Sequence, residues 1–243
     1  MNLILLEPDD VSASGRAVLA GERARHIVDV LDARAGQQVR VGLVNGPAGM
    51  ACVAELTGGA VALDCTFDEQ PPARPPIDLL LAVPRPKVMR RLWSPLAQLG
   101  VGSIILTNAW KVERNYFDTH VLSEHVYRPL LIEGLQQARD TLLPRVSIHR
   151  QFRKLVENEL DALFPDGMRI VADPAAPASL TAMAAMARGR RMLLAIGPEG
   201  GWTPFELDLL EAHSFARAGM GVRTLRTDVA CIAALSQARA SMQ

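Results

Sequence analysis

The sequence predicts an α/β protein in two parts, a small strand-rich unit followed by a larger mostly parallel sheet with helices. Three observations carry this. Gln70-Pro71-Pro72-Ala73-Arg74-Pro75-Pro76 can continue neither a helix nor a central strand, so residues 71–76 form a stiff linker. Before it, short segments alternate polar and apolar residues, the period of half-buried strands. After it, apolar runs of strand length alternate with helical patterns, the rhythm of βα units.

Residues 1–70 are taken as a small β-barrel. Leu3-Ile4-Leu5-Leu6 is a first strand. Glu22–Leu31 has the pattern of a short helix. Gln38–Val44 alternates, Asn45-Gly46 is a hairpin turn signal, and Met50–Leu56 alternates again. Gly58-Gly59 turns the chain into a strand over Ala60–Phe67.

Residues 77–243 carry the second rhythm. Ile77–Val83 is almost wholly apolar, as in a strand buried on both faces. A helix runs from there to about Leu99, with Pro95 inside it. Strands follow at Ser103–Leu106, Arg145–His149, Arg169–Ala172 and Met192–Ile196. Helices are expected at Ser123–Asp140, Arg153–Leu163, Ser179–Arg188, Pro204–His213 and Asp228–Met242.

Bulk properties exclude several classes. No apolar run in the 243 residues approaches the roughly 18 needed to span a membrane. Met1–Asp10 lacks the basic start of a secretory signal. The three cysteines, Cys52, Cys65 and Cys231, make no Cys-x-x-Cys pair and read as buried free thiols in a reducing cytoplasm. The five histidines show no ligand spacing, so no metal site is expected. Lys plus Arg equals Asp plus Glu at 26 each, so any nucleic-acid contact must come from local patches.

Two segments can carry chemistry. Ile196-Gly197-Pro198-Glu199-Gly200-Gly201-Trp202-Thr203-Pro204-Phe205-Glu206 runs from an apolar strand through a glycine-rich loop into a helix. Thr203 and Glu206 form a capping box and Pro204 suits the first helical position. The loop is either a tight strand-to-helix turn or a ligand site at a strand's carboxyl end. Its spacing matches neither the dinucleotide fingerprint nor the phosphate loop. The second segment, Gly219–Ala230, places Gly221, Arg223 and Arg226 before the last helix, with Thr227 or Asp228 as its cap. It is either a solvated charged turn or a contact for an anionic partner. Basic clusters at Arg85, Lys87, Arg90 and Arg91, and at Trp110, Lys111 and Arg114, are either solvated faces or RNA contacts, Trp110 adding a stacking surface.

Taken together, Ile196–Gly201 and Gly221-Val222-Arg223-Thr224-Leu225-Arg226-Thr227-Asp228-Val229-Ala230 resemble the paired signatures of the RsmE family, in the SPOUT superfamily. His26-Ile27-Val28-Asp29-Val30-Leu31 followed by Gly36 is similar to the family's amino-terminal domain. The resemblance implies a PUA-like, RNA-binding β-barrel, a trefoil-knotted methyltransferase domain, and a homodimer. The implied reaction is methylation of uridine N3 in 16S ribosomal RNA by S-adenosylmethionine, on free RNA or the assembled small subunit. It implies a cofactor pocket made by Ala172 and Asp173, by Ile196, Gly197, Pro198, Glu199, Gly200 and Gly201, and by Met220, Gly221, Leu225, Arg226 and Thr227.

RNA contacts are expected at His26, Arg85, Lys87, Arg91, Lys111, Arg114 and Arg139. Arg226 is the candidate for stabilising the uracil anion, and Glu199 and Asp228 are candidates for taking the N3 proton, or for capping helices or binding backbone. The chain departs from the family's pattern at Pro84-Arg85-Pro86-Lys87, at Leu135-Gln136-Gln137-Ala138-Arg139-Asp140 and at Thr227-Asp228-Val229-Ala230. Two rival readings are a different α/β enzyme with a nucleotide-like cofactor and an RNA-binding protein without activity.

Overall fold

The computed structural model describes residues 3–30, 32–68 and 70–242; the helix end expected at Leu31 lies outside the described residues. The chain divides into two compact units, Met1–Arg74 with Leu131–Leu143, and Pro75–Leu130 with Pro144–Gln243.

The first unit contains β1 (Ile4–Leu6), β2 (Arg16–Ala20), α1 (Gly21–Arg25), β3 (Gln38–Leu43), β4 (Ala48–Thr57) and β5 (Ala60–Phe67). The strands form one sheet in the order β1-β3-β4-β5-β2. β1 runs parallel to β3 and the other pairs are antiparallel. A register shift between Val53 and Glu55 marks a bulge, which bends a sheet. Gly58 and Gly59 both take positive φ, 59° and 79°, the backbone that a tight hairpin turn demands. Ile4, Leu6, Leu19, Ile27, Val39, Val41, Val53 and Leu63 fill the core. The helix expected over 22–31 is one α-helical turn that widens into a π-helical stretch, His26–Val30. Strand β2 was not expected: its alternation rests on Ala17 and Leu19 alone, and alanine is a weak strand former. Thr141 and Asn45 tie 131–143 to this unit, through Thr141 Oγ1–H to the Gly46 carbonyl at 2.6 Å and Asn45 N–H to the Thr141 carbonyl at 2.8 Å.

The second unit contains β6 (Ile77–Ala82), α2 (Pro86–Gln98), β7 (Val101–Thr107), the first half of α3 (Glu124–Ala138), β8 (Arg145–His149), α4 (Phe152–Lys154), α5 (Leu160–Leu163), β9 (Met168–Ala172), α6 (Leu180–Ala185), β10 (Met192–Ile196), α7 (Pro204–Ala212), β11 (Phe215–Ala218) and α8 (Thr227–Met242). Its six strands are all parallel, in the order β11-β9-β10-β6-β7-β8. Every residue of β6 and β10 is buried, as apolar runs broken only by Asp78 require of central strands. α2 buries Met89, Leu92, Trp93 and Leu96, one face at helical spacing. A π-helical stretch, Leu155–Glu159, joins α4 to α5.

Of the cysteines, Cys231 is buried and Cys52 and Cys65 only half-buried, because β4 and β5 expose one face in part. Burial, with Asp228 nearby, pushes the Cys231 thiol far above its ordinary range. Among the described residues no helix is long and apolar enough to cross a membrane, and no three His, Cys, Asp or Glu side chains gather where they could hold a metal ion.

Candidate functional site

Since β11, β9 and β10 are adjacent and parallel, their carboxyl ends open on the same edge of the sheet. The loops that leave them, at 172–174, 196–202 and 220–227, line one pocket. Ligand sites of open α/β sheets form at this edge because the strand order leaves a crevice between diverging loops.

Three features shape the pocket. Gly201 and Gly221 take φ of 70° and 109°, conformations that side chains with a Cβ resist. Trp202 is almost buried, at 9% exposure. A Cβ on Gly197 would lie 3.1 Å from its indole ring, so glycine lets the ring lie flat on the loop. Thr203 then starts α7 through the expected capping box: its hydroxyl accepts the Glu206 N–H at 3.3 Å, and a Glu206 oxygen accepts the Thr203 N–H at 2.7 Å. The second Glu206 oxygen accepts the N–H of Trp110 at 2.7 Å, a link between loops that local sequence does not reveal.

Every residue expected at the cofactor lines the pocket except Gly200 and Arg226. Gly200 faces away, its carbonyl accepting a hydrogen bond from Lys111 Nζ at 2.6 Å. Arg226 is exposed and reaches Asp228 at 3.4 Å. The wall also includes Pro174, Trp202, Leu207, Arg223, Thr224 and Ala230. Trp202, Arg223 and Thr224 fall within the two segments singled out in the sequence; Pro174 and Leu207 carried no signal. The Asp173 carboxylate is already committed, gripped by Arg217 at 2.9 and 2.5 Å and accepting the Ala175 N–H at 3.0 Å. It therefore sets the loop's shape.

The three candidate catalytic groups differ in setting. Glu199 lines the pocket with its carboxylate exposed, one oxygen accepting the Arg85 N–H at 3.1 Å. Asp228 lies between Arg91 at 2.9 Å and Arg226 at 3.4 Å, only 14% of its side chain exposed. Neither Thr227 nor Asp228 is the helix cap: Thr227 is the first residue of α8, and the Arg226 carbonyl accepts the first helical bond from Ala230 at 2.7 Å. Asp228 complements the helix dipole from inside the first turn.

Of the residues expected at RNA, Arg85, Lys87 and Arg91 stand exposed at the start of α2, and Lys111 and Arg114 on the segment after β7. Arg91 and Lys111 are engaged as described. His26 and Arg139 belong to the first unit and are exposed there, Arg139 with φ of 59° just past α3, a left-handed helix ending.

The pocket fits an adenosine-like cofactor. Among the described residues the N–H groups of Met220 and Leu225 meet no backbone acceptor, and the Trp202 indole Nε1 is a buried donor with no partner. Such neutral donors on an apolar wall suit purine and ribose acceptors. The enclosed volume is ≈ 170 Å³, room for part of such a ligand.

Comparisons with known proteins agree. A family model described as an RNA methyltransferase domain matches residues 71–239. A ribosomal RNA small subunit methyltransferase E from Treponema pallidum is 34% identical over 241 residues, covering 96% of this chain and 89% of the relative. The crystal structure of a ribosomal RNA small subunit methyltransferase E from Neisseria gonorrhoeae, bound to S-adenosyl methionine, superposes with a TM-score of 0.79 at 18% identity, covering 99% of this chain and 97% of that one. A Legionella pneumophila methyltransferase in complex with its bound cofactor SAM gives 0.75 at 20% identity, covering 99% and 98%. At these identities the two structures speak for the fold.

Proposed function

Because the chain belongs to the RNA methyltransferase family, in the branch of ribosomal RNA small subunit methyltransferase E, we propose that it uses S-adenosylmethionine to methylate N3 of a uridine in 16S ribosomal RNA, in the decoding region of the small subunit. The observation that carries this reading is the convergence of the β9, β10 and β11 loops on one pocket.

In this reading Gly197, Met220 and Leu225 hold the cofactor through backbone groups, with Trp202 as a side wall. The cofactor supplies an electrophilic methyl on sulfur. The uracil N3–H is weakly acidic and must lose its proton before or as N3 attacks. Glu199, with its exposed carboxylate at the pocket, is the better placed acceptor. Asp228, already between two guanidinium groups, orients Arg226, which stabilises the charge spread over O2 and O4. Alignment of nucleophile and methyl supplies most of the remaining acceleration.

The finer architecture belongs to the same proposal. Residues 1–70 act as a PUA-like RNA-binding domain with His26 at its contact face. Residues 71–76 are the linker, and 77–243, apart from the segment 131–143 that groups with the first unit, the knotted catalytic domain. In support of the knot, the chain leaves β11 at the edge of the sheet and turns back so that α8 packs on α2, α6 and β10. In support of a homodimer, α8 carries Val229 and Ile232 outward, each 41% exposed. Arg85, Lys87, Arg91, Lys111, Arg114 and Arg139 supply charge for RNA.

The test is calorimetric titration with S-adenosylmethionine and with NAD, followed by mapping of methylated nucleotides in small-subunit RNA incubated with protein and cofactor. Saturable binding of S-adenosylmethionine alone, and a methyl on N3 of one uridine, are the expected results. Binding without any transfer to ribosomal RNA overturns the assignment.

A further inference from the structure

A second cleft, of different chemistry, adjoins the cofactor pocket. It is lined by Asn108, Trp110 and Arg114 from the segment after β7, by Phe152 and Arg153 of α4, and by Phe205 at the start of α7. Its volume is ≈ 690 Å³, within the range of roughly 300–1,000 Å³ that holds small organic ligands. The wall between the two sites is an aromatic pair. Trp202 lines the cofactor pocket and packs on Phe152 of the cleft, ring centroids 5.4 Å apart.

Trp110 is 85% exposed and Phe205 58%, whereas Trp93 and Trp202 are buried. Folding does not call for this. Phe205 occupies the first turn of α7, where a polar residue serves the helix equally well, and Trp110 is held by its backbone N–H, with its ring left free. Burying apolar surface of this kind stabilises a fold, and the chain forgoes that gain here.

The charges narrow the choice of occupant. Among the described residues Arg114 has no acidic partner, and Arg153 is held by Glu157 at 2.7 Å. The one carboxylate on the wall, Glu206, is 3% exposed, and its oxygens already accept from Trp110 and Thr203. The cleft therefore presents net positive charge. Flat aromatic faces and a guanidinium without an acidic partner among the described residues together describe the surface that takes an unpaired base with its phosphate.

We propose that this cleft is a second RNA subsite, which holds one unpaired nucleotide adjacent in the strand to the nucleotide that receives the methyl group. Trp110 and Phe205 offer stacking faces for the base, and Arg114 meets the phosphate. The subsite rests on the RNA methyltransferase reading and gives it a positional rule: the target must lie in a strand whose neighbouring base is free to unstack.

The test uses the full chain with two probes, small ribosomal subunits for turnover and a single-stranded uridine-containing decamer for binding. Trp110→Ala and Phe205→Ala are each expected to raise KM for the subunits about tenfold, the effect of losing one stacked base. The expected changes in kcat and in S-adenosylmethionine affinity are below about twofold, and Trp110→Phe restores most of the loss. The decamer quenches tryptophan emission in the natural protein and not in Trp110→Phe. Arg114→Ala lowers the salt dependence of decamer binding by about one counterion.

Unchanged KM in both alanine variants, or a parallel fall in cofactor affinity, overturns the subsite while leaving the methyltransferase reading intact. A natural protein that binds cofactor yet methylates no ribosomal RNA overturns that reading instead, and the decamer titration then decides the subsite by itself.

Discussion

Glu206→Ala removes a single carboxylate that ties two loops to the start of α7. Glu206 is 3% exposed. Its oxygens accept the Trp110 N–H at 2.7 Å, the Thr203 N–H at 2.7 Å and the Thr203 hydroxyl at 2.8 Å. Hydrogen bonds to a charged acceptor are worth roughly 1.5–3 kcal/mol each. Three on one carboxylate do not add, and part of their gain offsets the cost of desolvating the charge. Alanine also breaks the capping box, a loss of about 0.5–2 kcal/mol. The net destabilisation is about 3 kcal/mol, which for a chain of this size lowers Tm by roughly 6–12 °C. Glu206→Gln keeps one carbonyl acceptor and turns the other position into a donor facing a donor, so about half of that loss is expected. Urea denaturation followed by circular dichroism gives the stability, and hydrogen exchange at the Trp110 amide reports the loop link directly. A loss below about 1 kcal/mol in the alanine variant, with the Trp110 amide still protected, refutes the claim that this carboxylate holds the two loops.

Three further outcomes are expected. Arg226→Ala lowers kcat about 100-fold, as the loss of a charge-stabilising donor does, with cofactor affinity nearly unchanged because Arg226 does not line the pocket; equal losses measured by calorimetry and turnover would mean that it builds the pocket. Gly197→Ala puts a Cβ 3.1 Å from the Trp202 ring, and the displaced indole costs about tenfold in cofactor affinity; wild-type affinity in the titration contradicts the packing account. Asp10 is subject to burial, which raises its pKa, but hydrogen bonds from Arg23 and the Glu7 N–H and the Arg23 charge outweigh it and hold the carboxyl below 3.8. A depressed carboxylate stabilises the fold above its ordinary pKa and loses that contribution as pH falls through the depressed value. Asp10→Asn is therefore expected to flatten the acid side of the stability profile below about pH 4, and urea midpoints that fall as steeply as the natural protein's would count against it.

Local chemistry was enough to mark much of this protein. The proline cluster at 71–76 spans Arg74 and Pro75, where the contacts divide, because proline forbids both helix and ladder, but the first unit also takes in Leu131–Leu143, which no local signal marked. The apolar runs of β6 and β10 announced central strands, Gly58-Gly59 announced the β4–β5 hairpin, and Thr203 and Glu206 announced the start of α7. Each of these signals acts within a few residues, so the sequence states it directly. The tertiary structure alone decided the rest. β11, Phe-Ala-Arg-Ala, is a strand because β9 pairs with it, and no periodicity in four residues shows that. The pairing of Asp228 with Arg91, 137 residues earlier, and the bond from Trp110 to Glu206 across 96 residues are contacts that no spacing rule reaches. The pocket is the clearest case. Its glycines were legible one loop at a time, but only the strand order β11-β9-β10 brings the three loops together. Parallel strands are joined by crossovers whose destination is set by packing over the whole sheet.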